Sequence, residues 1–148
     1  MRRYETIFIL RPSVNEDEIN TIVENSSAII EKDNGKIIDL DRWGMRKLAY
    51  PIKKEFQGFY IFLDYSGIPE AVAEMERKFR IDDAVLRYMT VKTADVITED
   101  EIVEAIAQAA NKQVSFAESA TDESNIDDTD ISEENDSFED DEDESEEV

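Results

Sequence analysis

The segment from Gly44 to Lys54 gathers residue types that suit contact with a polyanion. It reads G-M-R-K-L-A-Y-P-I-K-K, with four basic residues around one aromatic residue. These residues are Arg46, Lys47, Tyr50, Lys53 and Lys54. Lysine and arginine pair with phosphate groups, and an aromatic ring stacks on unpaired bases. The segment therefore predicts a nucleic-acid contact, although DNA, RNA and an acidic protein all present the charge that it would bind.

Further basic residues and a second tyrosine are expected near the ends of predicted strands, where phosphate contacts commonly lie. They are Arg2, Arg3, Tyr4, Arg87 and Lys92. Together with the five residues of the basic segment they form a ten-residue set that we predict to bind a polyanion, with DNA, RNA and an acidic protein all still open. The alternative for each basic residue is an ordinary solvated charge, and for Tyr50 a ring buried at the rim of the sheet.

The acidity of the chain is concentrated toward its C-terminal end. The 148 residues carry a formal net charge of −22, from 16 Lys+Arg and 38 Asp+Glu. Residues 1–93 hold 15 of the basic and 16 of the acidic residues, whereas residues 94–148 hold 1 lysine and 22 acidic residues. The first part is almost neutral and can therefore present local positive surface in spite of the total charge.

The composition excludes several classes of function. The chain has no cysteine and no histidine, which excludes disulfides, thiolate metal sites and the commonest catalytic base. Its glycines form no phosphate-binding loop, and the pair Asp82-Asp83 is typical of a turn. The apolar run from Ile7 to Leu10 is too short for a signal peptide or a membrane span. We expect a soluble cytoplasmic protein without catalytic residues, metal or cofactor.

The predicted elements follow the order β-α-β-β-α-β. Runs of β-branched and aromatic residues predict four strands, which are Tyr4 to Leu10, Lys36 to Trp43, Phe59 to Tyr65 and Val85 to Lys92. The first helix follows a cap at Ser13 or Asn15, and the second begins near Pro69. This order predicts an α+β fold of the ferredoxin-like type, with both helices on one face of a four-stranded antiparallel sheet. Pro51 argues against a central strand in the basic segment, so a loop is expected there.

Both faces of the predicted sheet are apolar. Alternation along the strands places Phe8, Leu10, Tyr60 and Phe62 under the helices. The opposite parity gives an open face formed by Ile7, Ile9, Phe59, Ile61, Leu63, Met89 and Val91. A large exposed apolar surface usually marks an interaction site, so these seven residues are predicted to bind a protein partner. The alternatives are that the tail or a loop covers this face, or that the parity is displaced by one residue.

The C-terminal part is expected to contain a short helix and an acidic tail. Thr98 and Glu101 have the spacing of a capping box ahead of Ile102, which predicts a helix near residues 99–112. From Ser115 onward the residues are mostly acidic and polar, which predicts disorder. We therefore divide the chain into a domain at residues 1–97 and a tail at residues 98–148. The tail is either a solubilising spacer or a competitor for the basic surface.

Four stretches of the chain match the motifs of a known family. They are Met1 to Glu5, Gly44 to Lys53, Gln57 to Tyr60 and Arg80 to Lys92. Over about residues 1–93 the chain resembles bacterial small-subunit ribosomal protein S six. The resemblance implies the same fold without catalysis. It further implies binding to small-subunit (16S-type) ribosomal RNA, rather than DNA or a membrane, as a heterodimer with ribosomal protein S eighteen. On this resemblance the ten-residue basic and aromatic set is predicted to bind RNA.

The resemblance also implies roles for six residues at matching positions, as contacts to RNA or to the partner. These are Arg2, Tyr4, Arg46, Tyr50, Arg87 and Lys92. Two other classes of function remain in view. A ferredoxin-like regulatory module would dimerise and bind a small effector, but the chain lacks a glycine-rich effector turn. A carboxylate enzyme would need a perturbed acid in a pocket, and the sequence offers no candidate.

Overall fold

The computed structural model describes residues 1–121, with side chains described for residues 1–113. The elements are β1 (Arg2–Leu10), α1 (Glu16–Lys32), β2 (Lys36–Ile52), β3 (Glu55–Gly67), α2 (Pro69–Ile81), β4 (Val85–Ala94) and α3 (Glu99–Thr121). The strands form one antiparallel sheet in the order β2-β3-β1-β4. The first six elements confirm the predicted β-α-β-β-α-β order and the ferredoxin-like α+β fold.

Helix α1 begins with a reciprocal cap. The side chain of Asn15 accepts a hydrogen bond from the N–H of Glu18 at 2.9 Å, and the Glu18 carboxylate accepts one from the N–H of Asn15 at 3.1 Å. The capping residue is therefore Asn15 and not Ser13. Helix α2 has Pro69 in its first turn, where the missing N–H costs no intrahelical hydrogen bond.

The main core lies between these two helices and one face of the sheet. The helices contribute Ile19, Val23, Ile30, Val72, Met75 and Phe79. The sheet contributes Tyr4, Phe8, Leu10, Ile61, Leu63, Tyr65 and Val85. Phe8 stacks on Phe79 with their ring centroids 4.7 Å apart. Burial of each such large apolar side chain contributes about 1.5–3 kcal/mol, so this face of the sheet defines the stable centre of the domain.

The predicted parity of β3 is wrong. Ile61 is opposite Phe8 in the β1–β3 pairing, and Phe62 is opposite Ile7. Directly opposed residues of an antiparallel pair share a face, so Ile61 lies under the helices with Phe8, and Phe62 lies on the open face with Ile7. Phe59 and Leu63 lie on the same face of the sheet as Ile61, and Tyr60 lies on the same face as Phe62. β3 is apolar on both faces, so alternation alone could not distinguish them.

The basic segment is a paired strand and not a loop. β2 continues to Ile52 and pairs with β3 through Lys47 with Gln57 and Ile52 with Glu55. The expectation of a loop was wrong because β2 is an edge strand, where the missing N–H of Pro51 is tolerated. Residues 44–57 form the far end of this long hairpin, which we call the arm.

Helix α3 packs on β2 at the opposite end of the sheet from the arm. Ile97 and Ile102 form a buried cluster with Ile38, and the N–H of Ile97 donates to the carbonyl of Met1 at 2.8 Å. The helix continues beyond Ser115, where the sequence predicted that order ends. A helix docked at one end continues readily, because each added residue costs little free energy once the helix is nucleated. The rest of the predicted disordered tail, residues 122–148, lies outside the described residues.

Candidate nucleic-acid and partner interface

The arm folds over the open face of the sheet. Leu48 of the arm packs with Ile9 of β1 and Leu86 of β4 in a second buried cluster. Gly58 permits this close approach, because a Cβ atom at that position would lie 2.3 Å from Cγ2 of Ile9. The arm therefore starts from one edge strand, β2, and reaches the other edge strand, β4. This contact fixes where its basic residues stand.

Two arginines of this region lie over aromatic rings. The guanidinium carbon of Arg46 is 5.0 Å from the ring centroid of Trp43, and that of Arg87 is 5.7 Å from the ring centroid of Tyr50. Arg87 also donates a hydrogen bond to the Tyr50 hydroxyl. Tyr50 is 56% exposed, so the alternative of a ring buried at the rim of the sheet is wrong. Such contacts hold the guanidinium groups in place while leaving their charge exposed.

A run of parallel aromatic rings continues from the arm along the open face. Trp43 lies 6.4 Å from Tyr60 and 5.8 Å from Phe62 between ring centroids, with interplanar angles of 14° and 6°. We did not predict these three residues as site residues. The sequence feature that could have indicated them is the Trp43-Gly44 pair in an edge strand. In the pairing of β2 with β3, the register shift between Arg42 and Gly44 turns the Trp43 indole onto the open face.

Two lysines form the tip of the arm. Lys53 and Lys54 have φ angles of 48° and 68°, as the two central positions of a two-residue hairpin turn require. Glycine or asparagine usually occupies such positions, so two lysines there are held at a conformational cost. Lys53 Nζ donates to the carbonyl of Val85 at 3.1 Å, and both lysines are exposed. The turn thus places two positive charges at the extremity of the fold.

Five of the ten predicted RNA-binding residues form what we call the cationic cluster at the arm. They are Arg46, Lys47, Lys53, Lys54 and Arg87, with Tyr50 among them. The other four predicted residues lie toward the opposite end of β1 and β4, about 25 Å from Arg46 and about 17 Å or more from Arg87 at the usual rise of a strand. They are Arg2, Arg3, Tyr4 and Lys92. The structure therefore divides the predicted set into two groups.

The second group is less suited to an RNA contact. Tyr4 is 7% exposed and stacks in the core on Tyr65 at 5.8 Å, so it is not available to stack on a base. Arg3 forms a two-pronged ion pair with the buried carboxylate of Asp64, at 3.0 and 2.6 Å, and this hydrogen bonding raises the pKa of Arg3 above its ordinary value. Lys92 pairs with Asp95. Arg2 is exposed.

The predicted partner surface keeps three of its seven residues. Phe59, Ile61 and Leu63 are in or against the core, as described above, and Ile9 is buried beneath the arm. Ile7, Met89 and Val91 remain on the open face, where Phe62 joins them. Met89 is 58% exposed and Val91 is 46% exposed. We call these four residues the open-face strip, and it lies between the arm and α3.

Comparison with known proteins places this chain in a family. A family model described as ribosomal protein S6 matches residues 3–92. The chain belongs to the ribosomal protein S6 family. It is 49% identical over 121 residues to the small ribosomal subunit protein bS6 of Desulfotalea psychrophila, covering 81% of this chain and 76% of that one. It is 42% identical over 95 residues to the bS6 of Caldanaerobacter subterraneus, covering 64% of this chain and all of that one.

A solved S6 structure has the same fold. The crystal structure of 30S ribosomal protein S6 from Thermotoga maritima superimposes with a TM-score of 0.58 and 37% sequence identity, covering 62% of this chain and 86% of that one. The S6 family is structural and has no enzymatic activity, so the prediction of a ribosomal protein without catalysis is confirmed. Within the described residues, His, Cys, Asp and Glu form no group of three placed to hold a metal ion.

The residues that match S6 motifs divide between the two ends of the sheet. Arg46, Tyr50 and Arg87 lie together at the arm, whereas Arg2, Tyr4 and Lys92 lie at the far end. None of the helices in the described part of the chain is long and apolar enough to cross a membrane. The arm presents exposed basic residues, and the open-face strip beside it presents exposed apolar residues.

Proposed function

We propose that this S6 protein binds small-subunit ribosomal RNA through the cationic cluster of the arm and ribosomal protein S eighteen through the open-face strip. Its role is that of a structural component of the small ribosomal subunit in the cytoplasm. The observation that supports the RNA contact most strongly is the grouping of five cations with the exposed ring of Tyr50 at one end of the fold.

The chemistry of the arm suits a single-stranded or irregular region of RNA. Charged groups on a rigid hairpin meet phosphates at defined positions, and salt dependence follows from the counterions that they release. Aromatic and guanidinium planes stack on unpaired bases, and each base stacked contributes about 1–3 kcal/mol. Two pairs in this region combine a positive charge with an aromatic ring, and they are Arg46 with Trp43 and Arg87 with Tyr50.

The open-face strip suits a protein partner because it is apolar and exposed. Met89 and Val91 are among the large apolar residues of greatest exposure on the sheet, and exposed apolar patches on stable domains commonly mark interfaces. The strip is bordered by the arm, so a partner seated on it lies beside the proposed RNA contact. This arrangement allows RNA and partner to be bound together.

The RNA contact is tested by replacing Arg46 and Lys47 together with alanine. Affinity for a fragment of small-subunit ribosomal RNA is measured across salt concentrations, with DNA of the same sequence as a second ligand. We expect weaker RNA binding and a salt slope reduced by about 1.4–1.8, for two lost phosphate contacts. The matched control replaces Arg77 and Lys78 of α2 with alanine, which removes the same charge elsewhere. Equal losses in both variants would show that the arm is not the contact.

The partner contact is tested with Met89→Asp. We expect it to weaken association with purified ribosomal protein S eighteen while leaving the unfolding transition in place, because the side chain is exposed. The matched control is Ile81→Asp, since Ile81 is an equally exposed apolar residue on the helix side, at 63%. Unchanged association of the Met89 variant would exclude the open-face strip as the partner surface.

The alternative of a regulatory module would require an effector pocket. A cleft of about 760 Å³ lies between α1 and α2, lined by Ile22, Ile29 and Phe79 and by Lys32 and Lys78. It lies on the helix side of the sheet, away from the arm and the open-face strip. Membership of the S6 family favours the ribosomal role over this alternative.

A further inference from the structure

We propose that the acidic segment at residues 122–148 lies on the cationic cluster when RNA is absent and competes with RNA for it. This inference rests on the function proposed above, because it concerns the regulation of the same site. It assigns the acidic segment a specific intramolecular partner, the arm.

The charges of the cationic cluster are not compensated within the described residues. Four ion pairs join described residues: Arg3–Asp64, Arg11–Glu55, Arg77–Glu74 and Lys92–Asp95. None of them includes a member of the cationic cluster, so within the described chain its five charges have no carboxylate partner. Residues 122–148 contain 16 Asp+Glu and no Lys or Arg. The chain therefore holds a polyanion and an unpaired polycationic surface of complementary sign.

The acidic segment is long enough to reach the arm. Gln113 of α3 donates to Asp39 Oδ1 of β2 at 2.7 Å, and β2 continues from Asp39 into the arm, with Arg46 about 23 Å further along the strand. A chain of 27 residues extends to about 90 Å, and a flexible one of that length averages about 30 Å between its ends. Attachment through α3 thus brings the acidic segment within range of the arm, at an effective concentration of about a millimolar.

The acidic segment can replace the phosphates of RNA but not its bases. Its carboxylates meet lysine and arginine as phosphates do, but it offers no nucleobase to stack on Tyr50 or Trp43. RNA that stacks on these rings gains about 1–3 kcal/mol per base over the segment and displaces it. RNA that contacts the cationic cluster through its phosphates alone has no such advantage over the acidic segment. The segment therefore discriminates against nonspecific polyanions. If it occupies the cluster nine-tenths of the time, it weakens their apparent affinity about tenfold.

The first experiment uses the full chain with its 16 carboxylates in residues 122–148 neutralised, Asp to Asn and Glu to Gln. Binding of inorganic polyphosphate, a polyanion that offers no bases for stacking, is compared between this variant and the wild type. We call this variant the neutral-tail chain and expect it to bind the probe about tenfold more tightly than the wild type at low salt. The difference should disappear at high salt, where such contacts are screened. Adding Arg46→Ala and Lys47→Ala should remove most of the gain. Equal binding by wild type and neutral-tail chain overturns this inference alone. Failure of both to bind even small-subunit ribosomal RNA overturns the proposed function as well.

A second experiment separates contact from general repulsion between the acidic segment and RNA. Zero-length carbodiimide cross-linking joins lysine amines to carboxylates only where they touch. In the wild-type chain without RNA we expect cross-links from residues 122–148 to Lys47, Lys53 and Lys54, and their loss when RNA is added. The control lysines are Lys32 and Lys78 on the helix side. Equal cross-linking to the control lysines, or none to the arm, overturns the proposed contact.

Discussion

Arg87 on β4 and Tyr50 on the arm are joined twice, by a guanidinium lying 5.7 Å from the ring centroid and by a hydrogen bond to the hydroxyl. β2 and β4 are the two edges of the sheet, so this pair ties one edge to the other across the open face. The arm is thereby part of the folded domain and not a free hairpin. Its basic residues stand on a surface with a defined geometry.

Loss of this tie should loosen the arm. For Arg87→Met we expect hydrogen exchange of the amides in residues 44–57 to accelerate roughly two- to fivefold, as an exposed cation–π contact contributes about 0.5–1 kcal/mol. The measurement is hydrogen exchange followed by mass spectrometry. Arg77→Met is the matched control, because Arg77 pairs with Glu74 on the surface of α2. Unchanged exchange in the arm would contradict the proposed tie.

Ile61 should be a core residue and not a partner contact. It is fully buried, so Ile61→Ala leaves a cavity and should lower the free energy of unfolding by about 2–5 kcal/mol. Met89→Ala on the open face should change it by less than about 0.5 kcal/mol. Urea denaturation of both variants measures the difference. Similar small losses in both would reverse the assignment of the two faces.

Stability should fall in alkaline solution because of Tyr65. Burial raises the pKa of this phenol from 10.0 to about 12, although a hydrogen bond with Thr6 opposes the shift. The folded state keeps the proton that the unfolded state releases above pH 10, so the contribution is complete below pH 10 and is lost between pH 10 and 12. Its size is about 2–3 kcal/mol. The free energy of unfolding of Tyr65→Phe should decline less over this interval, and identical slopes would exclude Tyr65 as the source.

The docking of α3 should depend on one side of the helix. Ile102 is 3% exposed against Ile38, whereas its neighbour Val103 is 63% exposed. Ile102→Ala should undock α3 and increase hydrogen exchange in residues 99–113, while Val103→Ala should leave exchange unchanged. A helix that loses its packed contact becomes marginal in water. Equal protection in both variants would mean that Ile102 does not hold the helix.

Arg3 should contribute to stability more than to RNA binding. Its guanidinium pairs with Asp64, whose side chain is buried, so Arg3→Ala leaves a carboxylate without its partner. We expect a loss of about 1–3 kcal/mol in the free energy of unfolding, reduced from the fully buried case because Arg3 is partly exposed. Arg2→Ala, the adjacent exposed arginine, is the control. A loss of RNA affinity without a loss of stability would assign Arg3 to the RNA contact instead.

Local patterns predicted most of the architecture. The cap ahead of α1, the proline that opens α2 and the four apolar runs were all readable because capping and strand propensity depend on neighbouring residues. The cationic character of the Gly44–Lys54 segment and its tyrosine were equally visible. The same patterns placed Pro51 in a loop, since a single sequence does not show which strand is an edge.

The sequence by itself determined the element order, the polarity of the two ends of the chain and the residue types available for binding RNA. Only the tertiary structure decided which of those residues stand together. Strand register placed Ile61 in the core and Phe62 on the open face. The fold of the arm brought Arg46 and Arg87 to one end of the sheet and left Arg3 and Tyr4 about 25 Å from Arg46. The physical reason is that register and strand pairing are contacts between residues far apart in the chain, which neighbouring residues do not encode.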